Sequence, residues 1–425
     1  MIKYILVPFL ALFLSSCATP TPDTPTTALS SNQKAFDQED MYILFALRAE
    51  EIGDYRSASE LFNTLYENSA KVEYMHRSIR NDLTYKNFDT AIKKADILTL
   101  KNEDDILATR FKIVSLIGIY KYEEAKDVAV ALVKKSQDVN DYILVSDIYV
   151  QLKDYESAVK YLESAYVKDY NEKILDKMSI VLYVNLHREK DAIAQLETHS
   201  RIHGCSKLIC SRLVGFYSND NNIEGLLSTY LRLYEIDKNP ELSDKIVQVY
   251  AYKKDYPAMM TFLENSKSDD ETLLQLYSSS NSYKNAQILA QTLYEKTGDF
   301  SYLGQSAIYE YEAHENKSDK VMLDAVVSKL KDVVSSYESP LYMNYLGYIM
   351  IDHEIDLDEG MKYVRAALKV EPNSAFYLDS LAWGYYKMNR CREAKEVMDR
   401  VVTLEGGDDV EVISHVKSIE KCLNK

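Results

Sequence analysis

Apolar side chains recur along this chain at helical spacing, in short blocks broken by a few polar residues, and the blocks themselves repeat. An aromatic or polar residue, two variable positions and a small residue return as Tyr55-Arg56-Ser57-Ala58, Phe88-Asp89-Thr90-Ala91, Tyr122-Glu123-Glu124-Ala125 and Tyr155-Glu156-Ser157-Ala158. Further copies end on Ala192, Gly225, Ala258, Ala286, Ala325, Gly360 and Ala394. The steps between these small residues are 33, 34, 33, 34, 33, 33, 28, 39, 35 and 34. Such a period predicts two helices per unit, with the small residue where the second crosses the first and a larger side chain would force them apart. Eleven pairs are countable. Residues 408–423 read as one closing helix, acids leading and lysines trailing, that covers the apolar face left by the last pair. The uneven steps around Ala286 predict a kink or change of pitch, dividing the array into stretches 40–266 and 267–425.

Composition excludes the alternatives. The chain of 425 residues holds only 12 Gly and 8 Pro, too few turn formers for a sandwich or barrel and too little glycine for a doubly wound sheet. The expectation is therefore all-α. A period of 34 with two helices per unit resembles the tetratricopeptide repeat, which implies a right-handed superhelix whose inner groove takes peptides. A net charge of −16 argues against holding nucleic acid or an anionic membrane surface by charge.

The first residues are an address. Met1-Ile2-Lys3, an apolar run from Tyr4 to Leu14 and then Ser15-Ser16-Cys17 form a secretory signal over 1–16, too short to span ~30 Å of hydrocarbon. Leu14-Ser15-Ser16-Cys17 resembles the lipobox of bacterial lipoproteins, which implies lipidation of Cys17; Ala18 after it implies the outer membrane, periplasm-facing. Residues 17–39 are rich in Pro, Thr and Ser and read as a disordered tether reaching about 25 Å.

The last two repeats are the most regular. Asn344-Tyr345-Leu346-Gly347-Tyr348, Leu357-Asp358-Glu359-Gly360, Glu371-Pro372-Asn373 and the run from Ser374 through Leu381, Ala382, Trp383 and Tyr385 to Ala394 resemble a family of bacterial outer-membrane tetratricopeptide lipoproteins of the LbcA/NlpI type. The likeness covers about residues 340–405 and implies an adaptor that presents proteins to a periplasmic carboxyl-terminal-processing protease. An assembly factor for outer-membrane, pilus or secretion machinery is the other scaffold reading.

Tyrosine is the compositional excess, 35 against 1 Trp and 11 Phe, and many copies fall on repeat positions where packing between helices uses them. In the tetratricopeptide pattern the position of Trp383 looks into the groove, with Tyr386 beside it and Asn344, Asp379 and Lys387 on the same inner side. In an oxidising compartment the four cysteines after Cys17 are disulfide candidates. Cys391 opens one helix and Cys422 ends the closing one, which antiparallel packing sets side by side. Cys205 and Cys210 can bond only if Cys205 lies in the turn before its helix, as Gly204 suggests. The rival for that segment is a metal or ligand site of His199, His203, Cys205 and Cys210. No metalloprotease, nucleophile-elbow, phosphate-loop or dinucleotide motif is present, and no cofactor is expected; the chain reads as a non-enzyme. Ser31 and Lys34 have serine–lysine spacing but fall in the tether, and His353-Glu354 falls in an interhelical loop.

Overall fold

The computed structural model describes residues 35–423; the expected signal segment 1–16, Cys17 and nearly all of the tether lie outside them. Among the described residues there are 23 α-helices and no strand. They run as antiparallel pairs. The first five are α1 (Glu39–Glu51) with α2 (Tyr55–Ser69), α3 (Val72–Thr84) with α4 (Phe88–Lys101), α5 (Ile106–Gly118) with α6 (Tyr122–Ser136), α7 (Val139–Gln151) with α8 (Tyr155–Asp169), and α9 (Glu172–Ile180) with α10 (Glu189–His203). α9 runs on into one π-helical turn, Val181–Asn185. Next come α11 (Lys207–Asn219) with α12 (Ile223–Ile236), α13 (Pro240–Lys253) with α14 (Tyr256–Ser266), and α15 (Asp270–Ser279) with α16 (Tyr283–Thr297). The last three are α17 (Phe300–Ala313) with α18 (Lys320–Ser336), α19 (Pro340–Asp352) with α20 (Leu357–Val370), and α21 (Ala375–Lys387) with α22 (Cys391–Val401). A single helix, α23 (Val410–Leu423), closes the chain.

The sequence makes these helices start and stop. Asp54, Asp154, Asn222 and Asp356 sit one residue before a second helix, and each side chain accepts a hydrogen bond from a backbone N–H of the first turn at 2.9–3.1 Å. The turn inside a pair carries one left-handed residue, filled by Gly53, Lys86, Tyr120, Lys153, His187, Asn221, Lys254, Asn281, Glu354 and Asn389 in ten of the eleven pairs. Nine of these ten are not glycine, so each carries a local backbone cost of about 1 kcal/mol that packing must offset. A glycine-poor chain can therefore still turn tightly.

The small residues work as crossing points. Ala58, Ala91, Ala125, Ala158, Ala192, Ala286 and Ala394 are fully buried. At Gly225 an added Cβ would lie 2.6 Å from the Tyr217 ring, and at Gly360 it would lie 2.8 Å from the Gly347 carbonyl oxygen. In the ninth pair the crossing falls on Val326, fully buried, and Ala325 beside it is only half-buried. Around these points the repeats bury one another's open faces: Met75 and Ile79 of α3 pack with Ala91, Ala95 and Leu98 of α4, and Ile113 and Leu116 of α5 with Leu132 of α6 and Val145 and Ile148 of α7. Each neighbour closes the face that the last one leaves, which is the solenoid principle.

The described residues form two compact units that divide between Arg212 and Leu213, and each is a stack of such pairs. The division falls within α11 and not at 266/267. A single core from Leu227 to Leu293 runs unbroken through the expected boundary. The irregular spacing there is absorbed locally: α14 and α15 are short, at 11 and 10 residues, and α18 is long, at 17. The fold is an all-α solenoid of the tetratricopeptide type.

Candidate functional site

On α19, Asn344, Tyr348 and Asp352 recur every four residues and so share one side of the helix. On α21, one repeat later, Asp379, Trp383 and Lys387 form the matching stripe. The closing helix α23 lies against it. His415 is buried and donates through Nδ1 to the Asp379 carboxylate at 2.9 Å, and its ring stacks on Trp383 with centroids 3.9 Å apart and planes 13° from parallel. Trp383 also stacks with Tyr386 at 4.6 Å and donates its indole N–H to Asp352 at 2.8 Å. Lys387 donates to the Asp352 carbonyl at 2.7 Å and to Glu354 at 3.3 Å. At the other end of the contact Tyr348 donates its hydroxyl to Glu411 of α23. Burial, then the Glu411 carboxylate, holds the Tyr348 phenol far above its ordinary pKa, and burial pushes Tyr345 up to about 12.

This placement corrects the exposure expected of the inner residues. Asn344 and Asp379 are 9% and 5% exposed and out of an extended ligand's reach, while Trp383, Tyr386 and Lys387 are half-buried in mutual contacts. The reason is α23. Its buried residues Val412 and Ile419 cover Ala394, Met398 and Val401 of the last pair, and in doing so it also lays His415 over the stripe on α21. The Asn344 side-chain oxygen has no hydrogen-bond partner. Beneath the stripe Tyr311 donates to His353 Nε2 at 3.0 Å; burial lowers the His353 pKa, so the neutral ring accepts.

Cys391 at the start of α22 is joined to Cys422 at the end of α23, Cα atoms 5.9 Å apart. Cys205, in the turn after Gly204, is joined to Cys210 on α11, Cα atoms 5.6 Å apart. That second bond uses both sulfurs that a metal would need. His199 is buried, with Nδ1 bonded to the Tyr166 hydroxyl at 2.7 Å and Nε2 facing Glu172 at 3.5 Å, and the His203 ring lies tilted beside it, centroids 4.7 Å apart. The His199, His203, Cys205, Cys210 reading as a metal or ligand site is thereby overturned: the thiolates are spent and both His199 nitrogens face protein groups. Among the described residues no group of three or more His, Cys, Asp or Glu is arranged to hold a metal ion.

Serine and lysine do meet elsewhere, where no motif pointed. Lys94 Nζ donates to Ser59 and Ser78 at 2.9 and 2.7 Å and to Asp82 at 2.7 Å. Ser59, Ser78 and Asp82 are buried and the set is mutually satisfied, so it ties α2, α3 and α4 together and offers no open nucleophile. Two open hollows lie in the second unit, of about 200 Å³ beside Tyr230 and Tyr252 and about 570 Å³ beside Tyr256 and Gln275. No described helix is long and apolar enough to cross a membrane.

No family model and no curated protein matches this chain. Solved structures that it is similar to include the APC/C hetero-tetramer Cut9–Hcn1, at 11% identity over 92% of this chain and 97% of that one, TM-score 0.35. Others are yeast Tom70, at 10% identity over 91% and 96%, TM-score 0.33, and a thermophilic TPR protein of Thermus thermophilus, at 15% over 42% and 97%, TM-score 0.31. Similarity this low identifies no partner, and the solenoid assignment stands on the helix pairs described above.

Proposed function

We propose that this protein is a non-catalytic scaffold, tethered to the outer membrane through lipidated Cys17 on its periplasmic side, whose repeats hold segments of other proteins. The observation that carries the reading is α23. The α19–α21 surface receives a helix through an aromatic stack, a His–carboxylate hydrogen bond and a Tyr–carboxylate hydrogen bond, a recognition mode suited to amphipathic helices in general. Repeats without such an occupant would offer the corresponding side of their first helices to partner segments. The finer proposal follows the resemblance of residues 340–405: a periplasmic carboxyl-terminal-processing protease, with its protein substrates presented along the array.

The test is photo-crosslinking from membranes of the native host, with a photoreactive residue at Tyr252 or Tyr256, both exposed beside the open hollows. Capture of a defined set of periplasmic proteins is expected, with a protease among them. Capture without any protease would leave the scaffold standing and remove the protease. Capture of nothing above the level seen with a residue placed at Leu100 would remove both.

A further inference from the structure

The two hollows of the second unit are one site made twice. The first lies between α12 and α13 and the second between α14 and α15, one helix pair further on. Their linings match position for position. Ile223 and Leu226 on α12 correspond to Tyr256 and Met259 on α14, and Gln248 and Val249 on α13 correspond to Gln275 and Leu276 on α15. Each glutamine stands two residues before the buried tyrosine of its helix, Tyr250 or Tyr277. The floors are apolar: Met259 and Leu276 are buried, and Leu226 and Val249 half-buried. Tyrosine rings form the walls, Tyr230 and Tyr252 at the first hollow and Tyr256 at the second, with Tyr252 and Tyr256 75% and 47% exposed. The Gln248 and Gln275 side chains are exposed and hydrogen-bond to no described residue.

We infer that the two hollows take apolar side chains three residues apart in a polyproline II segment of a partner protein, while Gln248 and Gln275 bond its backbone. The inference deepens the scaffold reading above and rests on it. A site repeated once per helix pair selects a ligand with a matching repeat, and helix packing sets that spacing on the order of 10 Å. In a polyproline II segment residues three apart share one side and lie about 9 Å apart, so they fall in step. A β-strand puts residues of one side about 7 or 13 Å apart and falls out of step. An α-helix returns to one side after seven residues, about 10.5 Å on, but its interior backbone groups already pair with one another and leave the two amides nothing to bond. The polyproline II backbone makes no internal hydrogen bonds, so its carbonyls are open to the glutamine Nε2 donors. Flat tyrosine walls pack against proline rings, and a segment already extended has little conformational freedom to lose. Lys245, over the Tyr230 ring at 5.7 Å, is the one charge among the lining residues, so a basic segment is disfavoured.

The test titrates the full chain into a fluorescently labelled peptide of repeated Leu-Pro-Pro and reads anisotropy. Saturable binding is expected, with a Leu-Gly-Gly repeat of equal length, which has the leucine spacing without the preformed conformation, about tenfold weaker. Gln248→Ala together with Gln275→Ala should weaken the Leu-Pro-Pro peptide about tenfold, the size of two neutral hydrogen bonds. Gln151→Ala, exposed at the end of α7, should leave it unchanged, and unchanged circular-dichroism melts show that the fold is intact in both variants. No saturable binding, equal affinity for the two peptides, or binding that ignores the double glutamine change each overturns the inference. Preference for an alanine-based helix with leucines seven apart would assign the hollows to a helix and overturn it as well. The scaffold reading stands or falls by the photo-crosslinking above: capture of periplasmic proteins without uptake of the Leu-Pro-Pro peptide removes this inference and leaves that reading in place.

Discussion

Gly347→Ala and Gly215→Ala are the same chemical change in two helices, and the structure assigns them opposite signs. In the interior of a helix Ala is favoured over Gly by about 1 kcal/mol, because Gly has more backbone freedom to lose. At Gly215 on α11 an added methyl meets nothing within 4 Å, so that gain is kept. At Gly347 the methyl would sit 2.7 Å from the Gly360 carbonyl oxygen, 2.7 Å from Val364 Cγ2 and 3.0 Å from the Val364 backbone nitrogen. Two of those three atoms are backbone of α20 and cannot rotate away; the α19–α20 axes must separate by several tenths of an ångström. Overpacking of this kind costs typically 1–3 kcal/mol, and with rigid neighbours the upper part of that range applies. Setting it against the ~1 kcal/mol helix gain leaves a net loss of about 1–2 kcal/mol for Gly347→Ala and a net gain of up to ~1 kcal/mol for Gly215→Ala. Urea unfolding followed by circular dichroism gives the two differences. Hydrogen exchange shows whether the loss is confined to α19–α20, as nearest-neighbour coupling in a repeat array requires. Stabilisation by Gly347→Ala would refute the claim that close backbone approach at the crossing point fixes the small-residue repeat.

The other expected outcomes are separate. Replacing Cys391 and Cys422 by Ser reopens a loop of 31 residues' separation, and the chain-entropy relation puts the loss at about 3–4 kcal/mol, read as a lower urea midpoint with fraying of α23 first. Trp383 is the single tryptophan of the chain, so its fluorescence reports on one place: His415→Ala removes the stacked ring and shifts the emission to longer wavelength, and an unchanged spectrum would contradict the stack. Glu39 is held down to about 2 by the hydrogen bond from Lys71, aided by those from Tyr74 and the Ala35 N–H, against desolvation. Its pKa is depressed in the folded chain, so its contribution is fully present above the ordinary value near 4.5 and is lost as pH falls from there towards 2. Exchange protection of α1 should fall over that window, and Glu39→Gln should remove the dependence. Cys17→Ser is expected to move the protein from the membrane fraction to the soluble one.

The fold is legible in the sequence because its cause is periodic. A crossing point that favours a small side chain returns in most pairs, so Ala58, Ala91, Ala125, Ala158, Ala192, Ala286 and Ala394 mark them in the sequence itself, while Ala258 and Ala325 are only half-buried beside Met259 and Val326. The closing helix is legible for a related reason, since a last pair leaves a face that something must cover. Other features leave no such trace. The left-handed turn positions are filled by Lys86, Tyr120 and Glu354 as readily as by Gly53, because surrounding contacts hold the backbone there and the residue type is not what decides. The buried Lys94–Asp82–Ser59–Ser78 set joins residues from three helices, and one-helix spacing cannot announce it. The burial of Asp379 escapes any reading that takes groove geometry from the repeat alone, because α23 is not only a lid on the end but a body lying across the stripe on α21. A change in repeat length need not break packing at 266/267: shortened α14 and α15 keep Leu263, Leu273 and Leu274 in one core.

That double role of α23 constrains where partners can bind. The disulfide keeps His415 beside Trp383 at an effective concentration set by a short connection, on the order of millimolar or higher, without any intermolecular entropy to lose. A free peptide competing for the α21 stripe must overcome that local concentration, break the Asp379–His415 and Tyr348–Glu411 hydrogen bonds, and still leave Cys391 and Cys422 joined. Peptides of ordinary micromolar affinity cannot meet those demands at physiological concentration. On the proposed scaffold reading, recognition by the second unit therefore falls to helices upstream of α19, and severing the Cys391–Cys422 bond should add a binding surface on α21 that the intact protein withholds. A helical peptide copying Val410–Leu423, titrated into the oxidised and reduced proteins, reads this directly: no uptake when oxidised and saturable uptake when reduced is the expected pair. Equal saturable uptake in both states would mean that α23 neither blocks nor occupies the stripe, and no uptake in either would mean that the chain connection alone holds α23 in place.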